Sequence, residues 1–360
     1  MTDIHAASLA DEAGQWLSRQ PESARAWPSV SVVMPVLNEA RHLERSVTQI
    51  LSQEYGGDIE LVIALGPSKD GTEWIARKLA AKDSRIKLVG NPTGKTPAGL
   101  NAALLMASHD IVARVDGHGM LLPGYMEKAV GLLERTGAAN VGGLMLAVGE
   151  TGFEQAVARA YSSKVGLGGG RFHVGGPEGP AESVYLGVFR REVLERLGGF
   201  NDHYHRAQDW ELNLRIRQAG ELVWFSPELA VTYRPRSSWT ELVRQFFHTG
   251  RWRREVIRHY PATVSARYLA PPMVSLAILL GLVAGLVGTF AALPLLGWGW
   301  FAPLGYGIGV LAASLKEGQA LSLAARAWLP FVLATMHLSW GSGFLFGRRP
   351  GLRPLTAECP

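Results

Sequence analysis

SVSVVMPVLNEARHLERSVTQIL, residues 29–51, contains two patterns in succession that together decide the fold. Its first seven residues form an apolar run rich in valine, which is typical of a buried strand. From Asn38 to Leu51 the sequence is amphipathic and helix-like. The stretch therefore predicts a β-strand that leads directly into an α-helix.

The same strand and helix pattern repeats over the next hundred or so residues. It occurs at IELVIAL (59–65) with GTEWIARKLAA (71–81), at IKLVG (86–90) with PAGLNAALLMAS (97–108), and at IVARVD (111–116) with 125–135; AANVGG (138–143) predicts a fifth strand. Repeated βα units indicate an α/β fold with a mainly parallel sheet and helices on both faces. Ligands bind at the carboxyl ends of such strands. We therefore expect Pro35, Leu65 and Asp116 to face one crevice.

Two common phosphate-binding motifs do not fit this sequence. No GxGxxG follows the first strand, which argues against a dinucleotide-binding fold. GNPTGKT (90–96) has three residues between its glycines, where a P-loop has four.

The C-terminal third of the chain lacks charge over long stretches. No Asp, Glu, Lys or Arg occurs between Arg267 and Lys316. Because a bilayer crossing takes roughly 20 apolar residues, we predict spans at 273–293 and 298–315, joined by a turn at 294–297, and a third at 327–346. The alternative is a buried helical hairpin of a soluble domain. Three crossings would place Arg348 and Arg349 outside, against the positive-inside rule, so the last run is a candidate for a re-entrant or interfacial helix.

Positive charge is concentrated just before the first predicted span. Residues 234–259 contain seven arginines and two glutamates and so carry a net charge of +5. This equals the net charge of the whole chain. A basic band beside a membrane segment fits the positive-inside rule and attraction to anionic lipids. We therefore expect membrane lipids, and not nucleic acid, as partners. Residues 1–28 have no continuous apolar core and so predict no secretory signal, and the single cysteine, Cys359, suits a reducing compartment.

IVARVDGHGM (111–120) places a carboxylate and an imidazole at the end of a predicted strand. Asp116 and His118 are two residues apart and can hold one divalent cation. Oxygen and nitrogen ligands suit Mn²⁺ or Mg²⁺, with phosphate oxygens completing the coordination shell. A solvated turn is the alternative reading.

Six motifs follow one another along the chain. They are VVMPVLNEA (32–40), KDGT (69–72), GLNAAL (99–104), RVDGHG (114–119), QDWELNLRIRQAG (208–220) and QFFHTGRWR (245–253). In this order they resemble the inverting family 2 glycosyltransferases of the GT-A fold. The branch most similar is that of the bacterial membrane enzymes of succinoglycan-type exopolysaccharide synthesis. The resemblance covers roughly residues 28–272, and membrane helices follow as in that branch.

This resemblance implies a nucleotide-sugar donor site. The matching positions are Pro35, Leu37, Asn38, Glu39, Asp70, Lys95, Asn101 and Asp116. The first four match the segment that lines the base and ribose pocket, and Asp70 belongs to the second nucleotide-binding motif. Lys95 and Asn101 match positions whose side chains lie close to the diphosphate or the sugar of the donor. Asp116 and His118 occupy the place of the family's Asp-x-Asp metal motif. Each of three residues also has an explanation without a ligand. Glu39 could lie in the first turn of a helix, Asp70 could cap a helix, and Lys95 could simply be exposed to solvent.

The resemblance also implies the catalytic residues. Inversion requires a base that removes the proton of the acceptor hydroxyl, and the matching position is Asp209. Arg251 and Trp252 match the family's Arg-Trp pair, in which the arginine contacts the leaving diphosphate and the tryptophan stacks on an acceptor sugar. A helix-capping role for Asp209 and membrane-interface anchoring for Trp252 are the alternatives.

Four positions depart from the family pattern: Leu65, His118, Gln208 and His248. Leu65 replaces an Asp at the end of the second strand, which weakens nucleobase binding or changes the preferred base. His118 replaces the second metal-binding Asp and lowers the charge of the ligand set. Gln208 occupies the position directly before the base where many relatives have Glu. His248 occupies the position before the Arg-Trp pair where the family has Gln.

These observations predict a membrane-anchored, metal-dependent inverting glycosyltransferase of cell-envelope polysaccharide synthesis. It would move a hexose from a UDP-linked sugar to a lipid-linked or growing glycan acceptor, on the cytoplasmic side of a bacterial inner membrane. The alternatives are a polyprenyl-phosphate sugar synthase and a degenerate glycosyltransferase that acts as an assembly partner. A sugar-phosphate nucleotidyltransferase would need a glycine- and arginine-rich first loop, which PVLNEA (35–40) lacks.

The predicted organisation has five parts: 1–27 as an extension, 28–232 as the catalytic domain, 233–272 as basic interfacial helices, 273–347 as membrane helices and 348–360 as a tail. The sequence gives no indication of an oligomeric state.

Overall fold

The computed structural model describes residues 27–348. The predicted N-terminal extension up to residue 26, and the predicted tail from residue 349 with Cys359, lie outside the described residues. The N-terminal half alternates strands and helices as the sequence predicts. Its elements are β1 (Val30–Val36), α1 (Leu43–Leu51), β2 (Ile59–Leu65), α2 (Thr72–Lys82), β3 (Ile86–Gly90), α3 (Thr96–Met106), β4 (Ile111–Arg114), β5 (Met120–Leu121), α4 (Tyr125–Thr136) and β6 (Asn140–Gly143).

The following segment contains shorter elements and completes the sheets. It comprises β7 (Met145–Ala147), α5 (Gly152–Tyr161), α6 (Lys164–Leu167), α7 (Arg171–Val174), β8 (Gly179–Pro180), β9 (Tyr185–Arg190), α8 (Arg191–Arg196), α9 (Gln208–Gln218), β10 (Val223–Phe225) and β11 (Val231–Tyr233). The main sheet has eight strands in the order β3-β2-β1-β4-β9-β6-β10-β8. Strands β3, β2, β1 and β4 are mutually parallel, whereas β9 runs antiparallel to β4 and β6. Strands β5, β11 and β7 form a small second sheet.

Strand β1 shows why helices cover both faces of the sheet. Its side chains alternate between two cores: Val30, Val32 and Met34 pack into one, and Val33 packs into the other. The first core includes the apolar face of α1, and the second includes that of α3. A strand buried on both faces has a nearly continuous run of apolar residues, and β1 has one that is interrupted only by the buried Ser31.

Pro35 determines where β4 leaves the sheet. Strands β1 and β4 are paired up to Val33 and Arg114, and the Val115 N–H still donates to the Val33 carbonyl. Pro35 has no N–H for the next bond of the ladder. The chain therefore leaves the ladder after Val115, and β4 ends at Arg114, two residues before the predicted end at Asp116.

The C-terminal part is helical. It consists of α10 (Trp239–His259), α11 (Ala266–Phe290), α12 (Pro294–Gly297), α13 (Phe301–Glu317) and α14 (Leu323–Phe346). Three segments are long and apolar enough to cross a membrane: Ala266–Phe290, Pro294–Glu317 and Leu323–Phe346. They contain most of each predicted run, but the turn predicted at 294–297 is a helix, because proline is well suited to the first helical position.

Helix α14 is the most enclosed of the three apolar segments. In its most apolar part 39% of the residues are buried, compared with 6% in Pro294–Glu317. Two glycines allow it to approach α10 closely. A Cβ atom on Gly250 would lie 1.9 Å from the Trp340 carbonyl oxygen, and one on Gly343 would lie 1.9 Å from that of Phe247. Helix α14 thus attaches the apolar segments to the helix that carries Arg251 and Trp252.

Candidate active site

The carboxyl ends of β1 and β4 open into a cleft of about 680 Å³. Its far wall is formed by the start of α9 and part of α10, and it extends to Arg267 in α11 and Trp340 in α14. Seven of the residues predicted from the sequence line it: Pro35, Leu37, Glu39, Asp116, His118, Asp209 and Trp252. The fold therefore brings together motifs that lie far apart in the chain.

Arg114, the last residue of β4, connects two of these residues. Its side chain is 3% exposed, its Nη2 lies 2.9 Å from Asp116 Oδ1, and its Nη1 is ion-paired with Asp209 Oδ1. Burial opposes ionisation of Asp116, but the charges of Arg114 and His118 outweigh burial and hold the pKa of this carboxyl below its usual value. One guanidinium thus holds two carboxylates on facing walls of the cleft.

Asp209 lies in the first turn of α9, but its side chain does not cap the helix. The helix begins after Ala207, whose φ of 65° gives the backbone a sharp change of direction. The Asp209 carboxylate consequently points to Arg114 on the neighbouring wall. This contact differs from the capping role that the helix position alone would favour.

Glu39 orients the imidazole of His118. Glu39 Oε1 lies 2.8 Å from His118 Nδ1. Burial lowers the pKa of His118, but the hydrogen bond and charge of Glu39, together with Asp116, outweigh it and raise this pKa. Gly117 makes the arrangement possible, because a Cβ atom there would lie 3.0 Å from Glu39 Cγ.

The residues at the end of β4 fit a divalent cation. Arg114 engages Oδ1 of Asp116, and Glu39 engages Nδ1 of His118. These contacts leave Asp116 Oδ2 and His118 Nε2 as one oxygen and one nitrogen ligand. A carboxylate on the far nitrogen of a histidine ligand is a common way to orient it toward a metal.

Asp70 and Asn38 interlock the loops after β1 and β2. The Ala40 N–H donates to Asp70 Oδ2 at 3.0 Å, and the Thr72 N–H donates to Asp70 Oδ1 at 3.1 Å. Asn38 has φ of 57° and accepts from the Lys69 N–H at 2.9 Å. The hydrogen bonds from Thr72 and Ala40 outweigh the effect of burial and lower the pKa of Asp70. Both side chains therefore shape the rim of the cleft through backbone contacts.

Lys95 and Asn101 lie on α3 and its approach. Lys95 is exposed beside Gly94 and Thr96, which line the cleft. The Asn101 amide pairs with the backbone of Phe200: its Nδ2 donates to the carbonyl at 2.7 Å, and its Oδ1 accepts from the N–H at 2.8 Å. Asn101 thereby fixes the segment that leads to α9, and its predicted contact with the donor stays a prediction.

Trp252 and Arg251 occupy different surroundings on α10. Trp252 is 4% exposed and packs with Tyr204, Trp210 and Val256 at the edge of the cleft. Arg251 lies outside the cleft lining, and its Nε is buried without a hydrogen-bond partner among residues 27–348. The packed position of Trp252 differs from the membrane-interface alternative.

Arg114 is a functional candidate that the sequence reasoning missed. Its signal is an arginine inside the otherwise apolar run IVARV (111–115). Arg206 and Arg236 were also missed, and both line the cleft. Arg236 belongs to the basic stretch 234–259, and its place in the cleft depends on the loop after β11. Burial and the charges of Arg206, Arg251 and Arg244 lower the pKa of the nearby His248, which indicates a concentrated positive charge on this wall.

The chain matches one family of known proteins over residues 31–198, the family described as Glycosyl transferase family 2. It is similar to the succinoglycan biosynthesis protein ExoA of Rhizobium meliloti (strain 1021), with 32% identity over 87% of this chain and 93% of that protein. A shorter similarity, 31% identity over 29% of this chain and 40% of the relative, links it to WfgD of Escherichia coli. The printed name of WfgD is UDP-Glc:alpha-D-GlcNAc-diphosphoundecaprenol beta-1,3-glucosyltransferase.

The fold also resembles a solved structure. This is the mannosyltransferase PcManGT from Pyrobaculum calidifontis, which was solved in complex with GDP-Man and Mn²⁺. The TM-score is 0.56 with 21% sequence identity, and the alignment covers 93% of each chain. The GT-A-like α/β fold predicted from the sequence is therefore confirmed.

Proposed function

Because the chain belongs to glycosyl transferase family 2 and is a glycosyltransferase related to exopolysaccharide biosynthesis enzymes, we propose a specific reaction for it. It transfers a hexose from a UDP-linked sugar, with inversion, to a sugar acceptor carried on a lipid diphosphate. The apolar helices anchor it in the bacterial inner membrane, with the cleft on the cytoplasmic side. The observation that carries this proposal is the bridge from Asp116 through Arg114 to Asp209.

Asp209 acts as the base in this proposal. The acceptor hydroxyl oxygen attacks the anomeric carbon from the face opposite the diphosphate and gives its proton to Asp209. The bond between the anomeric carbon and the diphosphate oxygen breaks, and the nucleoside diphosphate leaves with the electron pair. Arg114 positions the Asp209 carboxylate before the acceptor arrives.

The opposite side of the reacting bond is assigned to Asp116 and His118. These residues would hold a divalent cation, which supplies positive charge to the leaving diphosphate. Glu39 fixes the His118 ring, and the loops joined by Asn38 and Asp70 place Pro35 and Leu37 against the nucleoside. The donor-binding roles of these residues follow the family resemblance.

Three features support a lipid diphosphate as the carrier of the acceptor. Arg206 and Arg236 line the cleft and are exposed at its surface, and their guanidinium groups suit phosphate oxygens. The cleft continues to Arg267 and Trp340 on two of the apolar helices. The relative WfgD is named for a diphosphoundecaprenol acceptor and for UDP-Glc. A lipid chain lying along these helices would bring its diphosphate to the arginines.

A donor and acceptor screen tests the proposal. The full chain in lipid nanodiscs would be mixed with UDP-Glc, UDP-Gal or GDP-Man, with Mn²⁺, and with either GlcNAc-diphosphoundecaprenol or undecaprenyl phosphate. We expect nucleoside diphosphate release that depends on the saccharide acceptor, and a product longer by one hexose. Transfer onto undecaprenyl phosphate itself would instead identify a polyprenyl-phosphate sugar synthase. Donor binding without any transfer would identify a degenerate assembly partner.

A further inference from the structure

Three side chains with metal-binding atoms meet behind Trp252, where the proposed reaction assigns them no role. His203 lies in the segment before α9, and Glu255 and His259 lie one turn apart on α10. The His203 ring is 5.7 Å from the Trp252 ring and 5.5 Å from the His259 ring. The cluster therefore joins the segment that leads to Asp209 with the helix that carries Trp252.

The spacing of the ligand atoms suits a tetrahedral ion. Glu255 Oε1 lies 3.5 Å from His203 Nε2 and 3.7 Å from His259 Nδ1. All three ligand atoms lie within 4.8 Å of one another. Zinc bonds of about 2.0–2.1 Å to nitrogen and oxygen place tetrahedral ligand atoms roughly 3.4 Å apart. The two histidine ligand atoms, which lie within 4.8 Å of each other, would move to this spacing when the ion binds.

Glu255 and the Nε2 atom of His203 are both buried and lack sufficient polar partners within residues 27–348. Glu255 is 4% exposed, and its ion-pair contacts within residues 27–348 are with the two imidazoles. His203 Nε2 is buried and has no hydrogen-bond partner among the described residues. A buried carboxylate requires a compensating charge. A cation bound to all three groups supplies that charge and also occupies the lone pair of His203.

We propose that His203, Glu255 and His259 bind a structural Zn²⁺ ion, with water as the fourth ligand. Two imidazoles and one carboxylate are a zinc ligand set, whereas Mg²⁺ prefers oxygen alone. Glu255 and His259 present their ligands on one face of α10 because they are four residues apart. His259 is the exposed member of the cluster, with 43% of its side chain accessible, so solvent reaches the fourth position. The ion fastens the segment before Asp209 to α10 and is separate from the cation site at Asp116 and His118.

Metal content of the full chain tests this proposal directly. The protein would be purified in detergent without nucleotide, with any affinity tag removed, and analysed by mass spectrometry for zinc. We expect one zinc ion per chain in the wild type and in the matched control His109→Ala, which removes a histidine that is not part of the cluster. His259→Ala and His203→Ala should lose most of the zinc, and Asp116→Asn should retain it. This last variant separates the proposal from the cation site of the reaction.

Cobalt gives a second measurement that does not depend on how well the variants fold. Wild-type protein stripped of metal and loaded with Co²⁺ should show the intense visible absorption of a tetrahedral ion, and Zn²⁺ should displace it. Zinc should also raise the thermal midpoint of the wild type but not of His259→Ala. If wild-type protein contains no zinc and gives no tetrahedral cobalt spectrum, the proposal is wrong. The three side chains would then form a histidine–glutamate cluster without a metal ion. Zinc retained in His259→Ala would overturn the proposal as well.

Discussion

Arg114 and Asp209 form an ion pair between the end of a central strand and the first turn of α9. The two residues are brought together from distant parts of the chain, and the arginine is almost fully buried. The same guanidinium binds Asp116, so the proposed base and the proposed metal ligand share one partner. This arrangement fixes the distance across which the acceptor hydroxyl and the donor diphosphate would meet.

Replacing Arg114 should impair both stability and transfer. Arg114→Met leaves two carboxylates without their shared cation, and breaking a buried pair costs about 3–5 kcal/mol. Arg114→Lys restores the charge but not the forked geometry, so we expect it to recover stability better than activity. Thermal unfolding and nucleoside diphosphate release measure the two effects. Arg77→Met, at an exposed arginine, is the control. Wild-type transfer by Arg114→Met would remove this residue from the site.

Asp209→Asn should separate donor binding from transfer. The amide keeps the shape of the side chain but cannot accept the hydroxyl proton, and loss of a general base lowers the rate about 10²–10⁴-fold. Binding of the nucleotide-sugar, measured by calorimetry, should change little. Asp110→Asn, at an exposed carboxylate before β4, should behave as wild type. Full activity in Asp209→Asn would require a different base.

Glu39 should control the metal requirement through His118. Glu39→Gln removes the charged partner of the His118 ring. Loss of such a partner typically lowers metal affinity about 10–100-fold, so we expect the Mn²⁺ titration of activity to shift to higher concentration. His118→Ala should shift it further. Glu44→Gln, in the first turn of α1, is the matched control. Identical Mn²⁺ titrations for wild type and both variants would exclude His118 as a ligand.

Glu60 should make stability depend on pH in the acid range. Burial opposes its ionisation, but bonds from Lys87, Ser31 and the Ser108 N–H outweigh burial and lower its pKa from 4.5 to about 2. The depressed folded-state pKa contributes stability that is present above about pH 4.5 and is lost as the pH falls toward 2. The contribution is at most about 3 kcal/mol.

Thermal unfolding at several pH values measures this contribution. The difference between wild type and Glu60→Gln should be largest near neutral pH and should shrink below about pH 4.5. Glu73→Gln, which removes an exposed glutamate, should follow the wild-type curve. If the stability difference between wild type and Glu60→Gln is the same at every pH, the ionisation of Glu60 does not contribute to stability.

Gly250 and Gly343 should be required for the attachment of α14. A methyl group at either position would overlap a carbonyl oxygen of the facing helix, and overpacking of this kind costs about 1–3 kcal/mol. Gly343→Ala should therefore lower the thermal midpoint and the transfer rate while membrane insertion is retained. The control is Gly305→Ala on α13, where a methyl group meets open space. An unchanged midpoint in Gly343→Ala would mean that the two helices are not in this contact.

The local patterns of the sequence predicted most of the fold. The short apolar runs predicted β1, β2 and β4, and the uncharged stretches predicted the three apolar segments. The predicted helix from Asn38 begins instead at Leu43, because Asn38 adopts a left-handed conformation and its side chain bonds to the next loop. Such a boundary depends on a partner that lies about thirty residues away and is invisible to local periodicity.

The sequence by itself determined the α/β architecture, the family and the three apolar segments, because strand and helix periodicity and uncharged length are properties of neighbouring residues. Only the tertiary structure decided that Arg114 bridges Asp116 and Asp209, and that His203 lies against Glu255 and His259. Side chains so far apart in sequence meet only after the sheet and α10 are packed. The energy of a buried charge depends on which opposite charges then surround it, and no local pattern contains that information.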